Sequence, residues 1–413
     1  MSVLSDMCSC LVKDIADRCH RDEATWPGWA PSGMLTIPMT SIDLHGAGVS
    51  PREGVSMRPS RLWRAATPLI AAGALVLAVV GCSSDDGDSQ TVASNGQITG
   101  TLRLGYFPNL THAPALYGAE KGIFAKDLGS GVTLKTSTFN SGVQEAEAIL
   151  SGAIDAGYIG PNPAVNSFIK SHGEAVRIVS GATSGGASLV VKPEITSVAQ
   201  LKGTTLATPS LGNTQDVALR YFLKKNGLKT DTQGGGDVSI KPQDNTVTVD
   251  AFANRAIDGA WVPEPTASRL VAAGGKVLVD EADEWPETKG QFVTTVLLVS
   301  TDYLKKNPEI VRRLITANVE SINALNADRD AGAKVTNTAL GKLSGKPLSD
   351  KILTLAWKGL TFTPDPIAAS LFTSAKHQEE LGLIKNPKLD GLFDLTVLNE
   401  ILAKQGKPTV ADS

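Results

Sequence analysis

The stretch VTLKTSTFNSGVQEAEAILSGAIDAGYIGPNPA, residues 132–164, is echoed by VSIKPQDNTVTVDAFANRAIDGAWVPEPTA, residues 238–267. Each copy reads as a strand, a polar turn, a helix, an Ala-Ile-Asp triplet, a second strand and a proline-containing loop. Ala153-Ile154-Asp155 aligns with Ala256-Ile257-Asp258, and Tyr158-Ile159 with Trp261-Val262, once a gap of about three residues is placed in the turn. Upstream, LRLGYFPNLTHAPALYGAEKGIF is matched by TLATPSLGNTQDVALRYFLKKNGL. A duplicated strand-helix-strand unit of this length points to an α/β protein with two similar lobes facing each other.

Working outward, short apolar runs predict strands at 102–105, 132–136, 156–159, 176–180 and 188–191, with a second set at 205–207, 238–241, 259–262, 276–279 and 294–299. Helical periodicity fills the intervals, as at 112–125, 142–150 and 214–225, and dominates after Pro308. At 413 residues the chain exceeds one hydrophobic core. With 42% hydrophobic and 20% charged residues its composition is that of a globular protein. The net charge of −3 gives no basic excess, which argues against nucleic acid as a partner.

In an open α/β sheet, ligands bind beyond the carboxyl ends of the strands. Five loops fall there: Tyr106-Phe107-Pro108-Asn109, Phe139-Asn140-Ser141-Gly142, Gly160-Pro161-Asn162-Pro163, Leu211-Gly212-Asn213-Thr214-Gln215 and Pro263-Glu264-Pro265. They are rich in small polar residues and poor in Lys and Arg. Backbone N–H groups at helix N-termini bind anions without a full positive charge. Helix capping alone favours the same residue types, but five such loops at one end of two facing lobes make a cleft.

All four cysteines, Cys8, Cys10, Cys19 and Cys82, precede the predicted body, which therefore has no disulfide, thiolate metal site or Cys nucleophile. From Met57, three arginines (Arg58, Arg61, Arg64) lead into an apolar run at 69–80 and then Val79-Val80-Gly81-Cys82. The run has the length of a signal h-region and is too short to span a bilayer. The pattern resembles a bacterial lipobox, with Cys82 as the lipidated residue and two acyl chains giving stable anchoring. Residues 1–56 read as a non-native extension ahead of translation from Met57. Residues 57–81 read as a signal peptide and 82–97 as a flexible tether.

The stretches LGYFPNLTHAPAL, FNSGVQEAEAILSGAIDAGYIGPNPA, LKGTTLATPSLGNTQDVALRYFL and AIDGAWVPEPTASRL resemble the nitrate/sulfonate/taurine class of ABC-importer solute-binding proteins. The resemblance implies a type II periplasmic-binding-protein fold with mixed sheets and a helical C-terminal region. Its lobes are joined by two crossings, expected here near 192–197 and 291–296. Lobe 1 is then 98–192 with 296–413, and lobe 2 is 193–295.

The resemblance also implies an extracytoplasmic, lipid-anchored, monomeric receptor without cofactor or metal. Its partners are a small anionic solute and the permease and ATPase subunits of an importer. An aliphatic sulfonate or taurine is the first expectation; nitrate, bicarbonate or a thiamine-type pyrimidine precursor are the alternatives. By the same resemblance, anion oxygens meet the loops of Asn140, Ser141 and Gly142, of Gly160, Pro161 and Asn162, and of Gly212, Asn213, Thr214 and Gln215. Tyr106 or Phe107, and Trp261, pack on the organic part, with Asn109 beside them. Glu264 lies at the mouth, where it either pairs with an amino group or sits at the rim. Enzyme chemistry would want His, Cys or metal ligands. His112 is the one histidine beside a cleft loop, and it reads as a cap or lining residue.

Overall fold

The computed structural model describes residues 89–94 and 96–412. The extension, the signal peptide and Cys82 lie outside the described residues.

Among the described residues, twelve strands form two sheets. The first contains β1 (Thr91–Val92), β2 (Ile98–Tyr106), β3 (Val132–Thr138), β4 (Ala156–Ile159), β5 (Val176–Gly185), β11 (Val293–Ser300) and β12 (Leu360–Phe362). The second contains β6 (Ala187–Val191), β7 (Thr205–Thr208), β8 (Ser239–Pro242), β9 (Gly259–Pro263) and β10 (Lys276–Asp280). The central order is β3-β2-β4-β11-β5 in one and β8-β7-β9-β6-β10 in the other. The two orders superimpose. In each, three strands run parallel, and the fourth is antiparallel and enters from the other lobe. The ten strands predicted from the sequence all form. β1 and β12 are additional.

Central strands β4, β9 and β11 are buried almost throughout, because helices cover both sheet faces. Edge strand β3 carries Lys135 and four threonine or serine residues, and is mostly exposed. On lobe 1, α1 (Ala113–Glu120), α2 (Ile123–Leu128), α9 (Pro308–Ala327) and α13 (Thr396–Lys404) cover one face around Leu104, Phe124, Leu314 and Leu398. The other face packs α3 (Gly142–Leu150), α4 (Pro161–Lys170) and α12 (Ala368–Glu380) around Ile154, Phe168, Val296 and Leu371. On lobe 2, α5 (Thr214–Lys225) covers one face. The other face is covered by α6 (Asn245–Ala253) and α7 (Thr266–Ala272). Helices α8 (Thr301–Lys306), α10 (Arg329–Ser344) and α11 (Asp350–Lys358) complete the chain. The helix expected over 112–125 is broken at Gly122, which adopts φ +69°.

The repeated Asp explains the duplication. Asp155 accepts from the Arg103 amide and side chain, and Asp258 accepts from the Thr205 amide and Lys192 Nζ. Each Asp ties the third parallel strand to the first. In each lobe its carbonyl also receives the end of the incoming strand, through Ser300 N–H and Lys192 N–H respectively.

Two expectations are corrected. The first crossing falls at Gly185-Gly186, not 192–197, because β6 pairs with β9 and β10 and so belongs to lobe 2. Both glycines have φ near +75°, and a Cβ on Gly185 would lie 2.4 Å from the Gly359 carbonyl oxygen. The second crossing, at 291–292, runs beside it: Gly185 N–H donates to the Phe292 carbonyl, and Thr294 Oγ1 donates to the Gly185 carbonyl. The second correction concerns the tether. Its end is docked, since β1 pairs with β2 and Gln90 Oε1 accepts from Glu309 and Ile310 N–H at the start of α9.

Candidate functional site

The two lobes touch around a narrow cavity of about 30 Å³ at the carboxyl ends of their strands. Phe107, Asn109, Thr111, His112, Asn140, Ser141, Gly142, Gly160 and Pro163 line it from lobe 1. Pro209, Asn213, Thr214, Gln215, Asn245 and Pro263 line it from lobe 2, and Thr294 from the crossing. No Asp, Glu, Lys or Arg is in this lining.

Among the described residues, five helices of eight or more residues begin at its wall: α1, α3, α4, α5 and α6. In α3, Ser141 caps by accepting from Gln144 N–H. In α5, Asn213 Oδ1 accepts from Asp216 N–H, which leaves the Thr214 and Gln215 amides without a partner in their own helix. In α4, Pro161 and Pro163 remove two of the orphan donors, so this N-terminus offers fewer N–H groups than the others. Gly160 permits close approach of the lobes: a Cβ there would sit 2.6 Å from Thr214 Oγ1. That hydroxyl is buried with no hydrogen-bond partner among the described residues, as is Asn245 Oδ1.

Behind these loops, charge is neutralised. Asp216 accepts from Gly212 N–H, Thr208 Oγ1 and Arg220 Nε, and the Asp216–Arg220 pair is buried. This ion pair clamps the Gly212–Gln215 turn from the side away from the cavity. Glu145, in the first turn of α3, is fully buried, and neither oxygen has a partner among the described residues. Burial raises its pKa well above the usual carboxylate range. Burial therefore favours the uncharged form of this carboxyl beneath Ser141 and Gly142.

His112 stacks on Phe107, with ring centroids 4.4 Å apart, and its Nδ1 accepts from Phe107 N–H at 3.3 Å. Burial pushes its pKa down to about 3. The ring is neutral, and with Nδ1 accepting, its proton is on Nε2. His112 thus contributes a donor to the lining and no charge. Asn109 commits Oδ1 to the amide and hydroxyl of Thr111.

Of the residues singled out from sequence, Phe107, Asn109, Asn140, Ser141, Gly142, Gly160, Asn213, Thr214 and Gln215 come together here. Six do not line the cavity. Tyr106 points into the lobe 1 core. Pro161 opens α4 without reaching the cavity. Asn162 is buried between Gln378, to which it donates, and Ser374, from which it accepts. Gly212 serves the clamp on Asp216. Trp261 is wholly buried in the lobe 2 core, with Nε1 donating to Glu281 Oε2 at 2.6 Å. Glu264 turns away to accept from the Ser268 amide and hydroxyl, and burial lifts its pKa to about 7.

Asn245 was missed, although it opens α6 at the position that Gly142 occupies in α3. Asp216 and Arg220 were also missed, although their i, i+4 spacing was readable in the sequence.

The family model described as the NMT1-like family matches residues 97–340. The chain belongs to the NMT1-like family. A relative of this chain is the taurine-binding periplasmic protein of Escherichia coli (strain K12). It is 28% identical over 241 residues, 57% of this chain and 71% of that protein. Among solved structures, the periplasmic nitrate-binding protein NrtA from Synechocystis PCC 6803 superimposes with a TM-score of 0.64 at 15% identity, covering 75% of this chain and 90% of that one. The alkanesulfonate-binding protein SsuA from Xanthomonas axonopodis pv. citri, bound to MOPS, gives 0.57 at 18%, covering 70% and 96%. These likenesses establish the two-lobed periplasmic-binding-protein fold. The relatives are named as binding proteins, not enzymes. No helix among the described residues is long and apolar enough to cross a membrane.

Proposed function

We propose that this protein is the extracytoplasmic solute receptor of an ABC importer and holds a small oxyanion, an aliphatic sulfonate, between its lobes. The observation that carries this reading is the cavity lining: helix N-termini, hydroxyls, amides and a neutral imidazole from both lobes, with no charged side chain. Such a site stabilises an anion through oriented donors, and a cation would find no counter-charge there. The unpartnered Thr214 hydroxyl, and the Thr214 and Gln215 amides that lack a partner within α5, support the reading as donors to anion oxygens.

Phe107, held by His112, is the apolar wall for an alkyl group. Taurine fits less well than a plain sulfonate, since its ammonium needs a carboxylate and Glu264 is bound to Ser268. Nitrate and bicarbonate are the second reading, favoured by the small volume of the cavity. Anchoring through lipid on Cys82 belongs to the same proposal. It predicts that a clickable fatty acid labels the parent in cells and not Cys82→Ala.

A thermal-shift screen of ligand-free protein tests the solute class, with alkanesulfonates, taurine, nitrate, bicarbonate, sulfate and pyrimidine precursors. A ligand at a hundred times its Kd adds about 2.7 kcal/mol, a shift of several degrees at roughly 2–4 °C per kcal/mol. A shift confined to alkanesulfonates supports the reading. A shift confined to pyrimidines, or none with any anion, overturns it.

A further inference from the structure

Next to the main cavity lies a second chamber of about 90 Å³. Phe107, Asn109, Asn140 and Asn245 line both, so the two are neighbouring compartments with a shared wall. Unlike the main cavity, the second contains a cation, Arg269 of α7. The guanidinium is half-buried and has no hydrogen-bond or ion-pair partner among the described residues, and burial lowers its pKa. Partial removal of a cation from water without a partner is unfavourable, and this leaves the guanidinium available to an anion that arrives from outside the chain.

The duplication sharpens the point. Aligning Tyr158 with Trp261 places Asn166 opposite Arg269. Asn166 is fully engaged: its Nδ2 donates across the lobes to the Gly212 carbonyl, and its Oδ1 accepts from Gln378. One copy of the position is a neutral latch, and the other is an unsatisfied charge. Phe139, Leu340 and Pro265 give the chamber apolar walls. Asn245, between the compartments, has an unpartnered carboxamide that can turn its NH₂ toward an anion.

We infer that the solute is bifunctional: a short alkyl chain with a sulfonate held in the main cavity and a carboxylate held by Arg269. This inference rests on the oxyanion reading of the main cavity. A planar guanidinium matches a carboxylate with two parallel N–H···O bonds, a geometry that a lysine or an amide cannot supply. The apolar walls suit the methylene linker. Arg269 is then the residue that sets specificity for the far end of the solute.

Calorimetric titration of matched pairs at pH 7 tests this: 1-propanesulfonate against 3-sulfopropanoate, and 1-butanesulfonate against 4-sulfobutanoate. Within each pair only the terminal carboxylate differs. The parent protein is expected to prefer the sulfocarboxylate of at least one pair by tenfold or more. In Arg269→Met, which keeps an unbranched apolar stem, that preference is expected to fall to within twofold. Arg269→Lys is expected to restore it only in part, since it returns charge without the fork. Equal affinities within both pairs in the parent, or a preference that survives Arg269→Met, overturn the inference and leave the oxyanion reading standing. Failure of all four compounds to bind ligand-free parent overturns that reading and the inference with it. Thermal melts of the two variants within about 2 °C of the parent show that folding is not the cause.

Discussion

The two lobes are built on one plan and diverge in where they place polar groups. Asp155 and Asp258 fasten equivalent strands. Tyr158 and Trp261 fill equivalent core positions, each with its polar tip on a buried acceptor, Asn318 Oδ1 and Glu281 Oε2. What duplicates is the skeleton. What differs is the cleft: lobe 1 brings the His112–Phe107 stack and the Ser141 cap, and lobe 2 brings Thr214, Asn245 and, one compartment away, Arg269. Residues that repeat between lobes hold the fold, and residues without a counterpart line the cleft.

The comparison breaks most readily at the repeated aromatics. Trp261→Ala should cost about 3–5 kcal/mol in urea unfolding, because it empties a core site and strands Glu281. The milder Trp261→Phe should retain sulfonate affinity. A stable Trp261→Phe that no longer binds would return Trp261 to the site. Next come the paired aspartates. Asp155 is nearly buried beside Arg103, whereas Asp258 is 30% exposed beside Lys192. Asp155→Ala should therefore cost roughly 3 kcal/mol, and Asp258→Ala about half of that. Equal losses would mean that burial does not set the difference.

At the cavity itself, Thr214→Val should leave stability near the parent's, because the hydroxyl has no partner to lose. It should weaken sulfonate binding about tenfold, near 1.4 kcal/mol, through loss of a donor to an anion. An unchanged Kd would remove Thr214 from the site.

The smallest effects are in pH. His112 has a folded pKa of about 3, below its unfolded value near 6.5. Its contribution is complete above pH 6.5 and is lost as pH falls toward 3. Glu281, lifted to about 7 chiefly by burial, behaves oppositely: its contribution is complete below about pH 4.5 and is lost as pH rises through 7. The stability gap between parent and His112→Gln should therefore narrow on acidification. The gap between Glu281→Gln and parent should move in favour of the variant from pH 5 to 8. Measuring each as a difference cancels the other titrating groups, including Glu145.

Much of this was legible in the sequence because it depends on periodicity and local chemistry. Alternation and apolar runs marked all ten strands of the two central orders, and the Ala-Ile-Asp repeat marked the lobes. Cleft loops could be found because helix caps declare themselves by residue type. The side to which a side chain turns was not legible. Tyr106 and Phe107 are adjacent, and strand alternation sends one to the core and the other to the cavity. Treating Trp261 as a ligand contact ignored its alignment with Tyr158, whose place in a fully apolar strand signals core. The crossing was misplaced because β6 reads as a buried strand in either lobe, and only its partners β9 and β10 decide. Arg269 was passed over because a lone Arg on a helix reads as solvated, and only tertiary packing shows it half-buried at a chamber wall.

The central claim, that uncharged donors from both lobes hold an oxyanion, is tested most directly by titrating ligand-free protein with ethanesulfonate and with ethanesulfonamide, which share a shape and differ in charge. The expected result is a saturable isotherm for the sulfonate and at least hundredfold weaker binding of the sulfonamide. Equal binding of the two, or binding of neither, would contradict it.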